Sequence, residues 1–292
     1  MSVRIAAIEA LLHEEVGRNI SSLAQAARGG LLAAATALAT TASPRLGVIT
    51  GFYVPKGTPP AAETDGPVGA ALLIRGLTDA GIVCRLATDP LCASACAAAL
   101  HAVGCATTPI DQGPASASIT AWQAAGITHV LAIERCGPGA DGVARNLRGE
   151  DVSAVTPPLD LLYLGGSWTT LAIGDGGNEI GMGSLPAALI AGAVANGAQI
   201  ACRTRADHLI VAGVSNWGAW GLMAALALLR PDWRAALLAA LDPDLDEAVL
   251  RATVSDGPAV DGVTRVAALT VDGLGAPVHR AKLLAIRAAM NG

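Results

Sequence analysis

Lysine is almost absent from this 292-residue chain, which holds only Lys56 and Lys282. Chemistry through a lysine Schiff base would rest on one of these two, and neither has a supporting neighbourhood, so pyridoxal phosphate is not expected. Dense basic runs are missing too, the formal net charge is −5 and the pI is near 5.5. Nucleic acid as the main partner is thereby disfavoured, because phosphate binding needs a basic face. Charged residues make up 15% of the chain against 52% hydrophobic, with a mean hydropathy of +0.50. So little charge at this size predicts helices buried between subunits, and hence a homo-oligomer. No apolar run is long enough to cross a bilayer; the longest, 217–229, reads as a buried helix. The amino terminus carries Glu9, Glu14 and Glu15 inside a short helical pattern, unlike a secretory signal, so a cytoplasmic protein without a membrane partner is expected. The six cysteines, at 84, 92, 96, 105, 136 and 202, form no Cys-x-x-Cys pair and follow no zinc spacing. They are expected to be reduced and mostly buried. Cys136 stands beside Arg135, where a cation could lower its pKa, although a small residue filling a turn is the simpler reading.

What is present is an alternation of apolar strands and helical patterns. Residues 1–42 read as two helices, the second alanine-rich from about Leu23 and capped by Ser21 or Ser22. Strands are predicted over 46–49, 82–87, 106–110, 128–133, 169–173, 208–214 and 266–271. Helices are predicted between them, over 67–80, 91–103, 119–125, 158–164, 185–195, 217–229, 245–253 and from Val278. The fold class is therefore α/β, with a doubly wound, mostly parallel sheet covered by helices on both faces. With no repeat or linker, the chain reads as a single large domain over 1–292, on which the helical segment 1–42 packs.

The stretch 174–183 reads Gly-Asp-Gly-Gly-Asn-Glu-Ile-Gly-Met-Gly and follows a predicted strand. Its five glycines let the backbone approach a ligand closely, with Asp175, Asn178 and Glu179 set between them. Acids capping the next helix are the alternative, but the glycines exceed what one cap needs. The loop departs from the dinucleotide fingerprint, because Glu179 stands where the third glycine belongs, and no nucleotide is expected. Three further polar pairs follow apolar strands: Thr50-Gly51, Glu134-Arg135 and Ser215-Asn216. A parallel sheet brings all four to one rim, where ligands of such sheets bind.

Thr50-Gly51-Phe52 with Glu63-Thr64-Asp65-Gly66-Pro67, then Glu134-Arg135 with Asp141-Gly142 and Asn146-Leu147-Arg148-Gly149, then the glycine loop and Ser215-Asn216-Trp217-Gly218, resemble the D-glutamate cyclase C-terminal-like family. The resemblance runs in order from about Arg18 to Asp272. It implies a lyase that converts D-glutamate, or a related dicarboxylic amino acid, to 5-oxo-D-proline with loss of water. An amidohydrolase acting on a related lactam, and a non-catalytic amino-acid-binding or regulatory module, are the alternatives.

That chemistry needs a base for the amine, charge neutralisation and oxyanion donors at the carboxylate, and a proton for the departing oxygen. Asp175, Glu179, Asp65 and Asn178 are the catalytic candidates. Arg135 and Arg148 are candidate carboxylate clamps, with Glu134, Glu150 or Asp151 as alternative partners. Thr50, Gly51, Glu134, Asn146, Ser215, Asn216 and the amides of Gly176 and Gly177 complete the expected substrate site. Asp175, Glu179 and Asp141 are the expected ligands of an Mn²⁺ or Mg²⁺ ion. His129 and His208, at strand starts, read as structural, and His13, His101 and His279 lack a visible partner. There is no Gly-x-Ser-x-Gly elbow for a serine hydrolase.

Overall fold

The computed structural model describes residues 1–291. Its strands are β1 (Arg45–Thr50), β2 (Tyr53–Val54), β3 (Ala61–Glu63), β4 (Val83–Ala87), β5 (Ile110–Asp111), β6 (His129–Ile133), β7 (Thr169–Gly174), β8 (His208–Val211), β9 (Ala259–Val260), β10 (Thr270–Val271) and β11 (Leu274–Gly275). Six of them form one sheet in the order β5-β4-β1-β6-β7-β8, and every neighbouring pair is parallel. Its inner strands are largely apolar and buried on both faces, as Val130, Leu131, Ala132 and Ile133 illustrate in β6. The chain winds outward from β1 in one direction and then returns to continue from β6 in the other. A crevice therefore opens at the carboxyl ends of β1 and β6, where the winding reverses.

A smaller sheet, β2-β3-β9, pairs the long segment after β1 with a strand almost two hundred residues later. It closes one side of the crevice. The helix Pro67–Asp79 starts with proline at its first turn, where the missing N–H costs nothing. The helix Ser215–Leu229 is buried along all but its last residue, against the helices Ser2–Leu12, Gly30–Thr40 and Pro67–Asp79 of the same chain. This apolar helix is thus covered by other helices of the same chain.

Several local expectations change. The amino-terminal region has three helices, Ser2–Leu12, Ser21–Ala26 and Gly30–Thr40, because the backbone turns left-handed at Gly29, with φ of 91°. Neither Ser21 nor Ser22 caps; Ser21 Oγ donates to Glu15 Oε2 at 3.3 Å. The strand expected over 266–271 shrinks to β10, and the one over 106–110 to β5, because exposed turns occupy the remainder. Trp217 is core, as its apolar setting implied, and its indole N–H donates to His279 Nδ1 at 3.0 Å, giving that histidine a partner. Burial pushes the Cys136 thiol upward despite the adjacent arginine. All six cysteines are free and buried. Among the described residues no helix is long and apolar enough to cross a membrane.

One buried acid lies away from the crevice. Asp246, on the helix Pro243–Ser255, is 7% exposed, and its Oδ1 has no donor. Burial, with a smaller push from Glu247, raises its pKa from 3.8 to about 7. The folded chain holds this proton in a window where the unfolded chain has released it, so stability falls as pH rises from about 4 to about 7. Asp246→Asn is expected to flatten that fall and to add about 1–3 kcal/mol at about pH 8. Urea unfolding of both proteins across the window measures the difference.

Candidate active site

Two helix amino termini meet at the crevice and satisfy each other. Asp65, just before the helix Pro67–Asp79, accepts N–H groups of Ser215 and Asn216, both at 2.8 Å, at the start of the helix Ser215–Leu229. In return Asn216 Oδ1 accepts from Gly66 N at 3.0 Å and Gly69 N at 2.7 Å. Each helix thus has first-turn donors capped by a side chain of the other. Gly66 is required here, since it takes φ of 93° and a Cβ would lie 2.6 Å from Thr50 Oγ1.

Glu134, immediately after β6, adopts φ of 44°, a left-handed conformation that a non-glycine residue holds only when its surroundings enforce it. Its Oε2 accepts from Ser215 Oγ at 2.6 Å. Asp175 follows β7 and is fully buried. Asp65, Glu134 and Asp175 each present one oxygen, all within 4.8 Å of one another. Three strand-end segments, distant in sequence, thus deliver three carboxylates to one point.

The cation that meets them is Arg18, which sequence reasoning placed only in a connecting loop. Its guanidinium pairs with Asp175 and with Asp272 in the turn between β10 and β11. The carboxylate of Glu15 fixes this loop by accepting the N–H groups of Gly17, Arg18 and Asn19. Glu63 adds a further buried acid. One guanidinium therefore faces five carboxylates, namely Glu63, Asp65, Glu134, Asp175 and Asp272. Burial and mutual repulsion drive the carboxyls of Glu63, Glu134 and Asp175 well above the ordinary range, with Arg18 opposing. Asp65 is pushed up to about 7 by burial and then by Asp272, against Arg18 and the two helix N–H groups. Arg18 loses some basicity to burial, but Asp175 and Asp272 more than restore it. Burial and crowding thus favour the protonated carboxyl in this cluster, a setting suited to acid–base chemistry.

The glycine loop is organised around Glu179. Its carboxylate accepts the N–H of Gly176 at 2.7 Å, of Gly177 at 2.8 Å and of Asp175 at 3.3 Å. Gly177 takes φ of 101°, which turns its N–H inward. The amides of Gly176 and Gly177, expected to serve an oxyanion, are therefore occupied. Glu179 holds Asp175 in place. Glu179→Gln is expected to cost about 1–3 kcal/mol, because an amide accepts these donors less strongly and turns an N–H₂ toward one of them. Chemical denaturation monitored by tryptophan fluorescence reads this loss.

A cavity of about 300 Å³ opens above the cluster. Glu63, Glu134 and Asp272 line its buried part, while the exposed Lys56 and Arg148 and the half-buried Arg265 line its mouth. Arg148 has no acid partner among the described residues; it donates to Val263 O at 3.0 Å. Glu150 instead pairs with Lys56 and Arg265 and accepts from Asn146, which also lines the cavity. Asn178 Nδ2 donates to Arg145 O at 2.9 Å, while its Oδ1 is buried at the cavity without a donor. Thr50 Oγ1 is likewise buried and unpartnered.

Two candidates lie elsewhere. Arg135 is 1% exposed and turned away from the cavity, donating to Asp89 Oδ2 at 2.5 Å, Gly51 O at 2.8 Å and Pro157 O at 2.7 Å. The buried acid that binds it belongs to the segment after β4, so the structure places Arg135 in an ion pair within the fold rather than at the cavity. Asp141, 54% exposed, pairs with Arg145 outside the cluster. That hydrogen-bonded pairing holds its carboxyl down at about 2.

A family model described as "D-glutamate cyclase-like, C-terminal" matches residues 8–287. The chain belongs to that family. It is also 40% identical over 105 residues to the human mitochondrial D-glutamate cyclase. The matched stretch covers 35% of this chain and 17% of the human protein. Arg18, Glu63, Lys56, Arg265 and Asp272 are the site residues that sequence reasoning missed. Asp272-Gly273 was visible as a turn dipeptide, but nothing local marked Arg18 as part of the site.

Proposed function

We propose that this chain is a D-glutamate cyclase-like lyase, converting D-glutamate or a close dicarboxylic amino acid to 5-oxo-D-proline and water. The observation that carries this reading is the polarity of the cavity: buried acids at its base and basic side chains at its mouth. An amino acid with two carboxylates fits such a gradient, its ammonium turned toward Glu134 and Asp175 and its α-carboxylate toward Arg148 and Arg265. Held folded, the substrate brings amine and γ-carboxylate together, and orientation of this kind is worth up to about 7–11 kcal/mol.

The new C–N bond forms as one γ-carboxylate C–O bond breaks. Two protons leave the ammonium and two join the departing oxygen, so charge is conserved. Asp175 and Glu134, whose protonation equilibria lie above those of free carboxylates, supply the two roles: an ionised member takes a proton from nitrogen and a neutral member gives one to oxygen. Asn178 and Arg148 stand at the same cavity as an orienting amide and a carboxylate clamp.

The test is incubation of the purified chain with D-glutamate and, separately, L-glutamate, with 5-oxoproline followed by mass spectrometry. Product from D-glutamate supports the lyase. Saturable binding without product points to an amino-acid-binding module instead. Ring opening of 5-oxoproline without cyclisation points to an amidohydrolase.

A further inference from the structure

Five buried or nearly buried carboxylates face one guanidinium, so the cluster beneath this cavity is short of positive charge, and uncompensated buried charge is costly. Protons relieve part of that deficit. The arrangement of three of the acids suggests a second means. We infer that Asp65, Glu134 and Asp175 form a binding site for one divalent cation of the Mg²⁺ or Mn²⁺ type, and that Arg18 competes with the ion for Asp175. The inference concerns the same site as the proposed reaction and deepens that reading.

The three oxygens lie within 4.8 Å of one another. Ligands of an octahedral Mg²⁺ stand about 3.0 Å apart when adjacent and about 4.2 Å apart when opposite, so side-chain movements of about 1–2 Å close the set around one ion. The donors are all hard oxygens, with neither histidine nor thiolate in the cluster, which selects Mg²⁺ or Mn²⁺ over zinc. Asp65 and Glu134 are already oriented from behind by Ser215 and Asn216, as outer-shell partners orient metal ligands. Asp175 accepts no hydrogen bond at either oxygen, and Arg18 alone offsets its charge.

An independent observation points the same way. Asn178 is 2% exposed and lines this cavity, and its carbonyl oxygen has no donor. A buried amide oxygen without a donor, beside an acidic cluster, is arranged to meet a cation rather than an anion. Arg18 is the present substitute for that cation. It comes from a loop outside the central sheet, held by the exposed Glu15, so its displacement by an ion would break no strand pairing.

Titration of the full chain with Mn²⁺, followed by electron paramagnetic resonance of free and bound ion, tests the inference without any turnover. One bound ion per chain, displaced by excess Mg²⁺, is expected. Asp175→Asn is expected to weaken binding at least about a hundredfold, since disturbing even an outer-shell partner commonly costs about 10–100-fold. Arg18→Gln is expected to tighten it at least about tenfold by removing the competing charge. Circular dichroism establishes that each variant is folded; if Arg18→Gln is not, the wild type and Asp175→Asn decide. No bound Mn²⁺ in the wild type and in any folded Arg18→Gln variant overturns the inference, as does binding unchanged by Asp175→Asn. Cyclisation by protein that binds no metal would sink this inference and leave the proposed reaction standing. Stoichiometric metal without product would do the reverse.

Discussion

Asp175→Asn is expected to lower the rate of 5-oxoproline formation at least about a hundredfold, equivalent to about 2.7 kcal/mol or more of lost transition-state stabilisation. Asparagine keeps the shape but can neither take a proton from the substrate amine nor carry one to the leaving oxygen. It also leaves Arg18 with Asp272 as its remaining ion-pair partner. The fold is expected to survive, because Asp175 is fully buried and its ionised form is disfavoured there, so a neutral replacement removes a repulsion from Glu134. Initial rates over a range of D-glutamate concentrations, beside circular dichroism of both proteins, make the comparison. A folded variant with undiminished kcat removes Asp175 from the chemistry.

Arg135→Met should act in the opposite sense, on the fold rather than the reaction. Arg135 and Asp89 are each 1% exposed in side chain, and the guanidinium also satisfies the carbonyls of Gly51 and Pro157. Removing it leaves a buried carboxylate without its counter-charge and two carbonyls without donors, which costs about 3–5 kcal/mol. Methionine fills part of the volume but replaces none of these bonds. Urea denaturation is the direct measurement. In the surviving folded protein the KM for D-glutamate should stay within about twofold of the wild-type value, since a rise in KM at unchanged kcat is the mark of lost uniform substrate binding. A large rise in KM with unchanged stability would return Arg135 to the role of a substrate clamp.

These two residues differ in how far local sequence could speak. Asp175 lies between glycines directly after an apolar strand, so both its element and its rim position followed from a short stretch. Arg135 also follows a strand, and the same reasoning placed it at the rim. Its direction, however, depends on Asp89, 46 residues earlier. A strand end specifies where a backbone stops but not which side of the following loop a long side chain takes. Glu179 teaches a related lesson. Its place among the glycines beside Asp175 made it a catalytic and metal-ligand candidate, whereas the glycine loop curls until its own amides fall within reach of that carboxylate.

Arg18 lay further beyond reach. It sits in a short connection between helices of the amino-terminal segment, and its partners are 157 and 254 residues away. No periodicity or spacing links such positions, because the contact exists only after both the β10–β11 turn and β7 have been placed.

The alternation of buried apolar strands with helices was sufficient for the α/β class, the parallel sheet and the gathering of Thr50, Glu134, Asp175 and Ser215 along one rim. Those properties arise from backbone hydrogen bonding and hydrophobic periodicity, which act over a few residues and repeat along the chain. The strand order that opens the crevice at β1 and β6, the mutual capping of two helices by Asp65 and Asn216, and the arrival of Arg18 among the acids were decided by tertiary structure alone. Each depends on long-range burial, and how a buried charge is compensated depends on which groups packing has brought close to it.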